Sequence, residues 1–212
     1  MDLHELYQAI LTGDAKGTKT LVAEAIAQGF PPIDLLNRNM IPAMDEVGRL
    51  FESGEYFVPE MLLSGRAMKA GMEVLKPHLA STGAQPAGRV VIGTVQGDLH
   101  DIGKNLVASM LESTGFEVFD LGIDVPPPNF VAAIRERKAD LVCLSALLTV
   151  TMPAMKSTLD ALTTAGVRSG VRVLIGGAPV TSQYAKEIGA DGYGETAAAA
   201  VTLARQFVPR SI

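Results

Sequence analysis

Val90-Val91-Ile92-Gly93-Thr94-Val95-Gln96-Gly97-Asp98-Leu99-His100-Asp101-Ile102-Gly103-Lys104-Asn105 passes from a short apolar run through a polar loop into a helical stripe. The run Val90–Gly93 is β-branched and too short for a helix, which suits a buried parallel strand. After the loop, Ile102, Leu106, Met110 and Leu111 recur at helical spacing until Gly115 stops them. The same alternation continues downstream. Strands are expected at Glu117–Asp120, Asp140–Ser145, Arg172–Ile175 and Asp191–Tyr193, with helices near 128–137, 152–165 and 182–188 and a last one to about Phe207. Strands alternating with helices predict an α/β fold, a doubly wound parallel five-stranded sheet of flavodoxin-like (Rossmann-type) order. Such sheets bind ligands at the carboxyl ends of their strands.

Upstream of residue 88 the period is helical throughout. Leu3, Leu6 and Ile10 follow Asp2, an expected N-cap, and Leu21, Val22, Ala25 and Ile26 precede a stop at Gly29. A third helix carries Met40, Met44, Val47 and Phe51 and breaks at Ser53-Gly54; a fourth runs from Pro59 with Met61, Met68, Met72, Leu75 and Leu79. Four amphipathic helices with short joins predict a small bundle whose methionines fill its core. Ser81-Thr82-Gly83-Ala84-Gln85-Pro86-Ala87-Gly88 reads as a linker, giving a helical domain over 1–87 and a sheet domain over 88–212.

Composition narrows the function. With 48% hydrophobic and 19% charged residues in 212, the chain is neither disordered nor fibrous. Residues 1–87 carry 7 Lys+Arg against 11 Asp+Glu, net −4, and residues 88–212 carry 11 against 12, net −1. Neither half has the basic excess of a nucleic-acid binder. The single cysteine, Cys143, lies in an apolar strand and reads as a core thiol in a reducing compartment. Without a basic and apolar leader or any apolar run near ~18 residues, the chain is expected to be cytoplasmic and free of membrane.

The loop Gly97–Gly103 places His100 between Asp98 and Asp101 where such a sheet does its chemistry. It is neither a Gly-x-Gly-x-x-Gly loop nor a Walker loop, and a merely solvated loop remains the alternative. Asp98 and His100, two apart, can lie on one side of an extended loop, so that a carboxylate fixes one imidazole nitrogen while the other binds metal. The later strand ends carry Ser145-Ala146-Leu147-Leu148-Thr149-Val150-Thr151, Gly176-Gly177-Ala178-Pro179 and Asp191-Gly192-Tyr193-Gly194. Missing Cβ atoms at neighbouring ends would open a slot for a flat ligand, although each glycine pair also fits an ordinary turn.

Asp98-x-His100-x-x-Gly103, Ser145-x-Leu147 and Gly176-Gly177, in that order and at these separations, resemble the cobalamin-binding signature of methionine synthase and its relatives. Val47-Gly48-x-Leu50-Phe51-x-x-Gly54-x-x-x-Val58-Pro59-Glu60 resembles the helical cap that precedes this module in methyl-transferring corrinoid proteins. Together the motifs cover about residues 1–210, an arrangement similar to the free-standing corrinoid proteins of methylamine, methanol and methoxy-compound methyltransfer. The resemblance implies cobalamin as cofactor, as methylcobalamin or cob(I)alamin, with His100 as the lower cobalt ligand in place of the cofactor's own base. Asp98 would bond the far nitrogen of His100, with Thr151 behind it where the family often has serine. Gly97, Leu99, Asp101, Ile102 and Gly103 would complete the cofactor loop. Ser145, Leu147, Thr149, Gly176, Gly177, Gly192 and Gly194 would line the slot for the displaced nucleotide tail. Phe51 and Val58, the latter where methionine synthase has leucine, would cover the upper face.

So read, the protein carries a methyl group between a substrate-specific methyltransferase and a second methyltransferase to coenzyme M or tetrahydrofolate, served by a reductive activation protein. It would have little turnover alone. The alternatives are a cobalamin-dependent sensor, the small cobalamin subunit of a carbon-skeleton mutase and, more remotely, a cofactor-free enzyme using His100 as a base.

Overall fold

The computed structural model describes residues 3–81 and 86–208, so Asp2 and residues 82–85 of the expected linker lie outside the described residues. The chain divides into two compact units, residues 1–85 with 112–115 and residues 86–111 with 116–212.

The first unit is helical: α1 (Leu3–Leu11), α2 (Ala15–Ala27), α3 (Pro32–Leu35), a π-turn at Leu36–Met40, α4 (Ile41–Glu52) and α5 (Val58–Ser81). Asp14 caps α2 by accepting from the Gly17 amide at 2.8 Å. Ser64 and Tyr56 donate their hydroxyls to the Leu11 carbonyl at 2.9 and 3.2 Å, satisfying the end of α1. Leu6, Ile10, Val22, Met40, Met44, Val47, Met61, Met68 and Leu75 are buried as the core.

The helix expected from Met40 starts instead at Pro32, with proline at its first position, and reaches α4 through the π-turn. Leu36, Met40, Met44 and Val47 keep helical spacing through the π-turn, and Leu35 is buried as well. Met72, expected on the apolar stripe of the last helix, is only half-buried. Glu60 accepts from the Phe57 amide at 3.0 Å, which starts α5 one residue before the expected Pro59.

The second unit alternates β1 (Arg89–Thr94), α6 (Ile102–Ser113), β2 (Glu117–Asp120), α7 (Pro127–Arg137), β3 (Leu141–Ser145), α8 (Pro153–Thr164), β4 (Arg172–Gly176), α9 (Ser182–Ile188), β5 (Gly192–Gly194) and α10 (Ala197–Phe207). Its sheet is parallel throughout, in the order β2-β1-β3-β4-β5. Val91, Val142 and Val173 stand in register and pack with Phe130, Met155 and Leu159 of α7 and α8. One residue on, Ile92, Cys143 and Leu174 form the next row and so face the opposite side, toward α6 and α10. β1 lies between β2 and β3, so the chain leaves β1 on one side and returns on the other, and its connections part at that strand end. Among the described residues, no helix is long and apolar enough to cross a membrane.

Candidate functional site

Beyond β1 the chain makes a tight turn in which the Asp98 amide donates to the Val95 carbonyl at 3.1 Å and Gly97 takes a φ of +85°. That backbone favours glycine. The turn aims the Asp98 side chain inward, where it is fully buried. Its Oδ1 accepts from the His100 amide at 3.0 Å and faces His100 Nδ1 at 2.7 Å. Its Oδ2 accepts from the Leu147 amide at 2.8 Å, the Leu148 amide at 3.3 Å and the Thr151 hydroxyl at 2.6 Å. Burial alone would raise the carboxyl pKa; the bonds from Thr151, from the ring and amide of His100 and from the Leu147 amide outweigh it and hold Asp98 well below the usual carboxylate range.

Asp98 is therefore an anion, able only to accept, so the proton of a neutral His100 ring sits on Nδ1. Nε2 keeps its lone pair on a side chain that is 49% exposed, an imidazole oriented by a carboxylate and ready to bind a metal. The main chain at His100 is held too, because Thr94, buried at the end of β1, donates its hydroxyl to the His100 carbonyl at 2.8 Å. The Thr151 hydroxyl also lies 2.8 Å from the Leu148 carbonyl, so its one proton can serve Asp98 or that carbonyl.

Beside this loop the second unit contains a cavity of about 460 Å³ between the sheet and helices α6 and α10. Ile92, Leu106, Val107, Cys143, Leu174 and Ala200 give it an apolar lining, and Ser145, Gly176, Gly177 and Gly194 bring it to the strand ends. Its walls are largely apolar with a few polar groups, as in a cofactor site. Cys143 is thus both a buried strand residue and a cavity wall, and burial pushes its thiol up to about 12.

Gly177 has a sharper reason to be glycine than making room for a ligand. At φ +129°, a Cβ there would lie 1.9 Å from the Ala146 carbonyl oxygen. At Gly103 a Cβ would meet nothing within 4 Å, so the open space before α6 is not demanded by the protein's own packing.

The structure brings Asp98, His100 and Thr151 together and sets Ser145, Gly103, Gly176, Gly177 and Gly194 around the adjoining cavity. Gly192, on β5, is outside that lining. Leu99, Ile102, Leu147, Leu148 and Val150 are exposed, and Thr149 lies exposed among them. Phe51 is half-buried in the last turn of α4, and Val58 is 40% exposed at the head of α5; both belong to the helical unit.

Some site residues have no mark in the sequence. Leu148 serves through its backbone amide, which any residue but proline supplies, and so does Leu147, which the resemblance placed along the slot rather than against Asp98. Thr94 reads as a strand residue. Lys104, buried against the cavity, bonds Asp120 and, at 2.6 Å, the Asn105 side chain. Among the described residues, no cluster of three or more His, Cys, Asp or Glu could hold a bare ion. One oriented imidazole beside an apolar cavity and an apolar rim fits a metal whose remaining ligands come from a macrocycle.

Comparison with known proteins points to a cofactor of that kind. Residues 88–202 match the B12 binding domain family, and residues 2–76 match a second B12 binding domain family. The chain is 43% identical over 208 residues to dimethylamine corrinoid protein 1 of Methanosarcina acetivorans, covering 97% of each. It is similar to the crystal structure of a cobalamin-binding protein from Desulfitobacterium hafniense (TM-score 0.83, 36% identity, 98% of this chain and 99% of that one). It is also similar to a chain of the methanol:cobalamin methyltransferase complex of Methanosarcina barkeri (TM-score 0.85, 33% identity, 97% of this chain and 79% of that one).

Proposed function

The chain belongs to the B12-binding family of corrinoid proteins, and on that premise we propose that it is a methyl carrier holding cobalamin with the cofactor's own base displaced and His100 on cobalt. The observation that carries this is the buried Asp98 carboxylate at 2.7 Å from His100 Nδ1, which leaves Nε2 as the metal-binding nitrogen. When bound, the cofactor would supply cobalt as a nucleophile able to accept and give up a methyl group. Asp98 keeps the imidazole in one orientation and one tautomer. Once Nε2 is not coordinated it is free to take a proton, and the carboxylate beside Nδ1 offsets the charge.

The apolar cavity would receive the displaced base, Ser145 and Thr149 would be polar contacts along the tail, and Gly103 leaves the approach open. Phe51 and Val58 act in the helical unit to exclude water and oxygen from the reacting face. The two partners are a substrate-specific methyltransferase and a second one delivering to coenzyme M or tetrahydrofolate, with a reductive activation protein restoring oxidised cobalt. The relatives named for dimethylamine and methanol systems support this class of partner.

Reconstituted with methylcobalamin, the chain should retain one equivalent through gel filtration with a base-off spectrum. It should lose the methyl group to coenzyme M or tetrahydrofolate only when a second methyltransferase is added. Preferential retention of the adenosyl form, or transfer without a partner, would contradict the proposal.

A further inference from the structure

Asp124 lies between β2 and α7, in Gly122-Ile123-Asp124-Val125-Pro126, where the sequence suggests no more than a turn. Its φ is +52°, one of two non-glycine residues with positive φ among the described residues; the other, Lys138, ends α7. A left-handed backbone is disfavoured for any side chain, and Asp and Asn tolerate it best because they bond locally. Here the bonds reach another loop. Asp124 Oδ1 accepts from the Gly97 amide at 2.7 Å, and the Asp124 amide donates to the Asp98 carbonyl at 3.0 Å. One residue on, Val125 forms a parallel bridge with Val95, and its amide donates to the Thr94 carbonyl at 3.0 Å. Asp124 thus holds the Gln96–Gly97 and Asp98–Leu99 peptide groups, one on each side of the Gly97–Asp98 peptide.

We propose that Asp124 is a positioning residue for the His100 ligand, clamping the Gly97–Asp98 backbone from the β2 side so that the Asp98 carboxylate meets the imidazole. Sparsely populated backbone conformations persist where the surroundings over-determine them, and here the conformation delivers an amide and a carboxylate to one turn. The clamp is independent of the bonds on the carboxylate itself. Thr151, Leu147 and Leu148 fix the far oxygen of Asp98, Thr94 fixes the His100 carbonyl, and Asp124 fixes the main chain from which Asp98 projects. The inference rests on His100 being the cobalt ligand.

Substitution separates the clamp from the backbone strain. Asp124→Gly keeps the left-handed backbone and removes only the side-chain acceptor, Asp124→Ala disturbs both, and Asp124→Asn keeps an acceptor and tolerates the backbone. Two readouts are needed: hydrogen exchange of the Gly97 amide in the cofactor-free protein, and the ratio of His-bound to His-free cobalt after reconstitution with methylcobalamin at one fixed neutral pH.

Asp124→Gly and Asp124→Ala should speed Gly97 exchange and lower the bound-to-free ratio about 2- to 10-fold, the range of one lost hydrogen bond. Asp124→Asn should stay within about 2-fold of wild type on both readouts, well inside the effect of losing that bond. A ratio unchanged in Asp124→Gly while the Gly97 amide exchanges faster would overturn the positioning role and leave a plain loop bond. A wild-type protein with no imidazole on cobalt, yet with a protected Gly97 amide, would overturn the ligand assignment and the positioning role with it.

Discussion

Replacing Asp98 with Asn separates charge from shape at the centre of the site. The carboxylate accepts from three backbone amides, one imidazole and one hydroxyl, divided between two oxygens. An amide has one accepting oxygen, and that oxygen must sit at the Oδ1 position, because His100 presents both its amide and its Nδ1 proton there. The new NH2 group then faces Thr151 and the amides of Leu147 and Leu148. Thr151 adapts by turning its proton to the Leu148 carbonyl, 2.8 Å away, and accepting from the NH2. The two leucine amides cannot adapt.

A buried donor left unpaired costs about 1–3 kcal/mol, and the longer Leu148 bond contributes the lesser share, so the variant should lose about 2–4 kcal/mol of stability and still fold. His100 keeps a hydrogen bond, but to a neutral acceptor. Loss of such a partner typically weakens a metal site about 10–100-fold, which is the expected fall in the bound-to-free imidazole ratio at one mildly acidic pH. The assay is a spectral pH titration of the methylcobalamin-loaded protein beside Asp98→Asn and Thr151→Ala. Thr151→Ala removes one donor of five and should shift the curve the same way by less, and Thr151→Ser should restore it. Overlapping curves for all of them would refute the account, leaving Asp98 and Thr151 as loop-capping residues.

Acid unfolding should follow the same carboxylate: Asp98 is held below its usual 3.8, so its contribution is whole above that value and fades as pH falls below it, a dependence that Asp98→Asn should flatten. Alkali should act on Cys143: its unfolded thiol ionises from about 9 while the folded one waits until about 12, so at pH 10 the wild type should lose about 1.4 kcal/mol in chemical denaturation that Cys143→Ala keeps. Gly103→Ala meets open space in the first turn of α6 and should raise the stability of the cofactor-free protein by about 0.5–1 kcal/mol; calorimetry beside a cobalamin titration should show that gain with weakened binding. Phe51→Ala should retain cobalamin but speed photolysis of the methyl form and oxidation of the reduced form, and unchanged rates would make Phe51 a plain core residue.

The sheet was legible because its strands alternate with amphipathic helices, and even β5, three residues long, lay within a residue of its expected place. The start of α3 was not, because Pro31-Pro32 reads equally as a break in the chain and as the proline that opens a helix. At the site, Asp98 and His100 stood out as residue types two apart, and Thr151 entered through the family resemblance. What holds them did not: the Leu147 and Leu148 amides are main chain, Thr94 acts through a loop carbonyl, and Asp124 reaches Gly97 across 27 positions of sequence. Backbone partners and crossings between loops leave no residue-type signature, whereas a ligand and its carboxylate do.

In the proposed cofactor-loaded protein, His100 Nε2, oriented by Asp98, binds the cobalt. Electron paramagnetic resonance of the Co(II) form, with the protein's histidines labelled with ¹⁵N and the cobalamin unlabelled, tests it most directly. The superhyperfine splitting should change from the three lines of ¹⁴N to the two lines of ¹⁵N on labelling and vanish in His100→Ala. A three-line pattern that persists in the labelled protein would place the cofactor's own base on cobalt and contradict the account.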